Sequence, residues 1–192
     1  AVAISFLTTG VRNPDIQDWA KLRHLMEYLR NTIEMPLILG ATSGGVLHWY
    51  VDAAFAVHPN MRGHSGGALT LGISFPISSS SKQKLNTRSS TESELVGVDD
   101  LMSLVIWSRN FLKAQGYVVK DNILHQDNKS AILLERNGKM SSGKRTKHIA
   151  IRYFFVTDRI KSGEISTKWC PTEEMIADFL TKPLQGAAFT KF

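Results

Sequence analysis

The feature that most limits how this 192-residue chain can fold is the order in which its apolar residues change period. From residue 46 onward, short apolar runs of strand length alternate with longer stretches spaced by three and four. The order is three strands, helix, strand, helix, helix, strand, helix. Such a mixture predicts an α/β fold with a mixed sheet flanked by helices. The first strand runs from Val46 to Val51 and ends at Asp52, and two more fall within residues 65 to 77 and the serine and lysine tract Ser78 to Lys84. Ser89, three residues before Glu92, forms a candidate capping box that opens a long helix to about Gln115, where Gly116 supplies the stop. Ile123 to Gln126 reads as a short buried strand ending at Asp127, followed by a helix that stops at Asn137-Gly138. After the basic loop Met140 to His148 come a helix over Ile149 to Lys161 and a strand over Glu164 to Trp169. Thr172 is expected to cap a last helix, with Glu173 and Glu174 in its first turn.

Ahead of this block, Asn13-Pro14-Asp15 reads as a helix start with Pro14 at the first helical position. Ile16, Trp19, Leu22, Met26 and Leu29 make residues 15 to 31 an amphipathic helix. A short apolar run, Leu37 to Leu39, precedes the loop Gly40 to Gly45. With 43% apolar residues the chain can bury one ordinary core, and its length suits one domain with an appendage. The net charge of +6 favours a polyanionic partner, nucleic acid first. The single cysteine, Cys170, excludes an internal disulfide and a thiolate metal cluster. No run is long and apolar enough to span a bilayer, so the expectation is an intracellular protein without membrane contact. The start without Met suggests a piece of a longer chain.

Four acidic residues stand where strands end and helices begin: Asp52, Glu94, Asp127 and Asp178. Carboxylates so placed can converge at one sheet edge, and hard oxygen ligands suit Mg²⁺ and phosphodiester hydrolysis. Each has a plainer reading. Asp52 could end a strand in a turn, Asp127 could cap the next helix, and Asp178 with Glu174 could belong to a solvated acidic face. Glu92 and Glu94 compete on the long helix. Glu94 shares its face with Val98, Leu101, Val105 and Leu112 and points at the sheet, whereas Glu92 suits capping.

Five blocks in order carry a resemblance: Tyr50-Val51-Asp52-Ala53; Ser89-Ser90-Thr91-Glu92-Ser93-Glu94-Leu95; Gln126-Asp127-Asn128-Lys129-Ser130-Ala131-Ile132; Arg145 to Tyr153; and Pro171 to Pro183. Together they resemble the ribonuclease H domain of copia-type long-terminal-repeat retrotransposons. The resemblance implies a ribonuclease H-like fold with a mixed five-stranded sheet and an endonuclease for the RNA strand of RNA–DNA hybrids. Asp52, Glu94, Asp127 and Asp178 would hold two Mg²⁺ ions, or Mn²⁺ in their place, with Asp52 bridging them and the product left with a 5′ phosphate. It further implies residues 1–44 as the tail of a reverse transcriptase or connection segment, 45–185 as the ribonuclease H domain and 186–192 as a tail. The partner would be the reverse transcriptase portion of the same polyprotein, and the location cytoplasmic virus-like particles. One departure is that Cys170-Pro171-Thr172 stands where many ribonucleases H carry a mobile His before the last helix, which bears on turnover. His148, in Lys147-His148-Ile149, reads instead as a structural or phosphate-contacting residue.

Hybrid binding should rest on phosphate contacts, for which Lys82, Lys84, Arg88, Lys139, Lys144, Arg145, Lys147 and His148 are candidates. Asn128 or Ser93 could reach a 2′-hydroxyl. The alternatives are a catalytically weak or inactive module that cradles the hybrid for a polymerase, and a DNA-cutting enzyme of the same fold superfamily. The acidic quartet favours the hybrid nuclease.

Overall fold

The computed structural model describes residues 1–36, 38–42, 45–138, 150–184 and 186. Its centre is a five-stranded mixed sheet in the order β3-β2-β1-β4-β5. Strand β1 (Val46–Ala54) pairs antiparallel with β2 (His64–Thr70), and β2 antiparallel with β3 (Ile77–Lys82). On its other side β1 pairs parallel with β4 (Asp121–Gln126), which pairs parallel with β5 (Ser166–Trp169).

The alternation of β1 explains its central place. Leu47, Trp49 and Val51 are fully buried on one face, where they meet Leu69, Leu124 and the apolar stripe Val98, Leu101, Met102 and Val105 of helix α3 (Ser90–Ala114). The close approach of α3 depends on a missing side chain. A Cβ on Gly67 would lie 2.2 Å from Leu101 Cδ1. The Ser89 hydroxyl accepts from the Glu92 amide at 3.2 Å, as a cap should. The Glu92 carboxylate, however, accepts from the Arg88 amide at 2.7 Å, one residue before the cap, so only half of the expected capping box forms.

Helix α4 (Lys129–Asn137) is capped by Asn128, whose Oδ1 accepts from the amides of Ser130 and Ala131 at 3.0 and 3.1 Å. Helix α5 (Ala150–Lys161) is tied to α3 by Arg152, which pairs with Asp99 and Asp100.

Three expectations are corrected. Strand β1 continues two residues past Asp52, which pairs with Gly66 in the strand interior. The last helix is replaced by two 3₁₀ turns, Thr172–Glu174 and Ile176–Leu180, and Thr172, inside the first of them, caps nothing and donates to Asp127. Helix α2 (Ile16–Asn31) begins after Asp15, which forms a reciprocal box with Asp18, so Pro14 precedes the cap. Its apolar face is also uncovered, with Ile16 87% and Trp19 70% exposed. A short helix α1 (Val2–Thr8) lies against β3.

Candidate active site

The parallel register of β1 and β4 builds the site. Tyr50 stands opposite His125, so two residues further along each chain Asp52 and Asp127 come side by side at the same end of the sheet. Glu94 arrives from the first turns of α3, which crosses β1 so closely that a Cβ on Gly97 would lie 3.3 Å from that of Ala53. Carboxylate oxygens of Asp52, Glu94 and Asp127 lie within 4.8 Å of one another. Asp52 and Glu94 are 2% and 5% exposed.

That proximity is costly without a cation. Burial pushes the Glu94 carboxyl well above the usual range, and the charges of Asp52 and then Asp127 add to the rise, against a hydrogen bond from the Ala53 backbone and the charge of Lys182. Glu94 Oε2 is buried without a hydrogen-bond partner. An orphaned buried acceptor beside two further carboxylates, all hard oxygen donors, fits a divalent cation, and these three residues are placed to hold one.

The second 3₁₀ turn brings Asp178 to the same edge, joined to the trio through Lys182. The Lys182 ammonium lies 2.8 Å from Asp178 Oδ1 and 3.5 Å from Asp52 Oδ2. Burial works against the Lys182 charge, but Asp52 and Asp178 outweigh it and hold its pKa above the usual value. For Asp178, burial raises the carboxyl, the Lys182 hydrogen bond opposes the rise, and the Asp52 charge adds to it. Three groups aim the ligands. Thr181 Oγ1 donates to Asp52 Oδ2, Thr172 Oγ1 donates to Asp127 Oδ2 at 3.0 Å, and the exposed Trp169 donates from its indole to the Asp127 carbonyl at 3.0 Å.

Of the residues read from sequence, Asp52, Glu94 and Asp127 are brought together and Asp178 stands beside them. Lys84 and Arg88 are exposed on the connection between β3 and α3, with Lys82 half-buried at the end of β3. Lys139, Lys144, Arg145, Lys147 and His148 lie outside the described residues. Ser93 is fully buried and donates to Gln83 at 3.2 Å, which removes it as a 2′-hydroxyl contact. Cys170 is buried against Pro171, with its thiol on the Pro171 carbonyl at 3.5 Å. Sequence reasoning missed Thr172, Thr181 and Lys182 as supports. The four-residue step from Asp178 to Lys182 is a local signal for their pair. Nothing local signals a Thr181–Asp52 contact across 129 residues.

This sheet order with carboxylates meeting across β1 and β4 defines a ribonuclease H-like architecture. The structure aligns with LC11-RNase H1 in complex with RNA/DNA hybrid, at TM-score 0.50 and 13% identity over 70% of this chain and 92% of that one. It aligns equally with LC11-RNase H1 isolated from compost by a metagenomic approach, at TM-score 0.51 and 13% identity over 71% and 92%. At that identity the likeness is one of fold. No family model matches the chain.

Whole-chain relatives narrow the class. The retrovirus-related Pol polyprotein from transposon TNT 1-94 of Nicotiana tabacum is 31% identical over 183 residues, 95% of this chain and 14% of the polyprotein. Those from transposons RE2 and RE1 of Arabidopsis thaliana are each 32% identical over 192 residues, 99% of this chain and 13% of theirs. The chain is a ribonuclease H-like domain related to the Pol polyproteins of long-terminal-repeat retrotransposons, and it spans 13 to 14% of the length of these relatives. No helix among the described residues is long and apolar enough to cross a membrane.

Proposed function

We propose that this domain is a metal-dependent endonuclease that hydrolyses the RNA strand of RNA–DNA hybrids during retrotransposon reverse transcription. The observation that carries the reading is the convergence of Asp52, Glu94 and Asp127 within 4.8 Å at the end of the parallel strand pair, with Glu94 held above its ordinary pKa by burial first and then by its acidic neighbours. Asp178 would be the fourth ligand, and Asp52, which faces both Glu94 and the Lys182–Asp178 pair, the bridging one. Two Mg²⁺ ions, or Mn²⁺, would supply the charge that activates water and stabilises the departing oxygen. The protein contributes placement. Thr181 and Thr172 fix the rotamers of Asp52 and Asp127, so the ligands need not reorganise when the cation arrives.

The basic residues Lys82, Lys84 and Arg88 lie on the approach to the N-terminus of α3, where Glu94 sits, and would contact phosphates. Lys144, Arg145, Lys147 and His148 are proposed for the same role on sequence grounds. Asn128 uses Oδ1 as a helix cap, which leaves its amide nitrogen for a 2′-hydroxyl. The same reading assigns residues 1–44 to the tail of the reverse transcriptase, residues 45–185 to the nuclease and 186–192 to a tail. It makes the polymerase portion of the polyprotein the partner, inside cytoplasmic virus-like particles.

The test is cleavage of a labelled RNA–DNA hybrid by the purified chain with Mg²⁺ or Mn²⁺, beside single-stranded RNA, duplex DNA and the Asp127→Asn variant. Metal-dependent cutting of the hybrid alone, lost in the variant, is expected. One observation favours a non-cutting cradle: the Lys182 ammonium already offsets part of the charge of Asp52 and Asp178. A folded chain that binds hybrid yet cuts none of it under either metal would establish that second reading.

A further inference from the structure

A chain of side chains leads from the N-terminal helix to the acidic edge, and its direction follows from the Leu180 carbonyl at one end and a neutral His64 in the middle. Ser80 Oγ donates to the Leu180 carbonyl at 2.7 Å, because a carbonyl can only accept. Its one proton is thereby used, so at 2.9 Å it accepts from Nε2–H of His64. Burial pushes His64 down to about 4 and so keeps it neutral, which makes its Nδ1 a bare acceptor for Nε2–H of His58 at 3.0 Å. Nδ1 of His58 is buried without a hydrogen-bond partner, which disfavours a proton there. Both imidazoles are neutral in this arrangement, in line with burial, which lowers His58 and pushes His64 down to about 4.

The two ends of this chain have uses. At one end Phe6 of α1 stacks on His58 with ring centroids 4.3 Å apart and on His64 at 5.2 Å, covering a pair that is 2% and 0% exposed. At the other end Leu180 is followed by Thr181 and Lys182, the two residues that touch Asp52. The turn is pressed onto β2 at Gly66, the register partner of Asp52, where a Cβ would lie 2.6 Å from Thr181 Cγ2 and 2.8 Å from Leu180 Cβ.

We propose that Phe6 and the His58–His64–Ser80 chain form a brace that fixes the Thr181 hydroxyl against Asp52, so that helix α1 is a working part of the metal site. His58, His64 and Ser80 are positioning residues and touch no ligand atom. The link to metal affinity rests on the nuclease reading of the acidic trio, while the brace itself rests on the contacts above.

The test uses the full chain and its Ser80→Ala, Phe6→Ala and Ser80→Thr variants, with hydrogen exchange read in the segment from Met175 to Lys182 and Mn²⁺ binding read by calorimetry. The amides of Thr181 and Lys182, both donating to the Asp178 carbonyl at 3.1 and 2.9 Å, should exchange about three- to tenfold faster in Ser80→Ala and Phe6→Ala, the equivalent of one lost hydrogen bond. Mn²⁺ affinity should fall by a similar factor, and Ser80→Thr should restore both. Unchanged exchange in that segment, or acceleration spread evenly over the whole chain, would overturn the brace. Faster exchange with unaltered Mn²⁺ affinity would overturn the role assigned to it. Neither readout needs catalysis, so a chain that binds Mn²⁺ without cutting hybrid would end the nuclease reading and leave the brace standing. In a chain that binds no Mn²⁺ the exchange result decides.

Discussion

Glu94 and Glu135 are both buried glutamates whose carboxyls are pushed upward, yet their surroundings differ. Glu94 sits on α3 at an edge of the sheet, with Asp52 and Asp127 as neighbours and Lys182 nearby. Glu135 is fully buried on α4, outside the acidic cluster. Burial raises it to about 8, and the Arg136 charge and the Gln126 amide oppose that rise only in part. The Arg136 guanidinium is engaged instead with Thr167, on which it donates to both hydroxyl and carbonyl. Desolvation is the leading cause in both cases, so a raised pKa alone does not distinguish them. What separates them is company. A lone buried acid relieves its strain by keeping a proton, whereas three carboxylates within 4.8 Å of one another are relieved best by a divalent cation.

The largest expected contrast is in catalysis. Glu94→Gln should lower hybrid cleavage by about a thousandfold or more, since a metal site is worth several kcal/mol of transition-state stabilisation. Glu135→Gln should leave the rate within about threefold, because Glu135 is not among the clustered ligands. Equal losses in two folded variants would erase the distinction.

Stability should reverse the ranking. A carboxyl raised from 4.5 to about 8 in the folded protein contributes stability that is full below pH 4.5 and lost as pH rises through 8, since the native state holds the proton that the unfolded state has released. Urea unfolding of the metal-free chain should therefore show stability falling across that window. Glu135→Gln should flatten the fall and gain roughly 2 to 4 kcal/mol at pH 9. A variant with the same pH profile as the parent would mean that Glu135 is ionised in the fold.

Metal binding should sharpen the comparison further. At a hundredfold excess over its dissociation constant, Mn²⁺ should stabilise the parent by about 2.7 kcal/mol. Glu135→Gln should keep that increment and Glu94→Gln should lose most of it. Thermal unfolding with and without Mn²⁺ measures both.

How far these features could be read from sequence follows physical reach. The period change along β1, α3 and β4 is a local signal, and with it came the sheet, the placement of Asp52 and Asp127, and the choice of Glu94 over Glu92 by helical face. Contacts made by the last turn were not legible. Thr172 looked like a helix cap because its neighbours Glu173 and Glu174 suit a first turn. In the fold its hydroxyl serves Asp127, 45 residues away, and the segment winds as 3₁₀ turns. The stripe Ile16, Trp19, Leu22, Met26 predicted α2 correctly, but periodicity says that a face is apolar, not what covers it. The isolated burial of Glu135 was invisible for the same reason: position 135 reads as an ordinary polar site on a short helix.

Lys182 supplies the smallest and most discriminating effect. Its ammonium stands between Asp178 and Asp52 as a built-in counter-charge, and a cation binding at Asp52 must share or displace it. Removing the charge in Lys182→Met should therefore tighten Mn²⁺ binding, by about three- to tenfold once the half-exposed position of the side chain is discounted for solvent screening. The gain should shrink as salt is raised. Glu135 has no such resident cation, and Arg136→Met beside it should leave Mn²⁺ affinity unchanged. If Lys182→Met weakens Mn²⁺ binding instead, the ammonium supports the site by orienting Asp178 rather than competing for Asp52. The acidic edge would then rely on Lys182 with the metal in place as well as before it arrives.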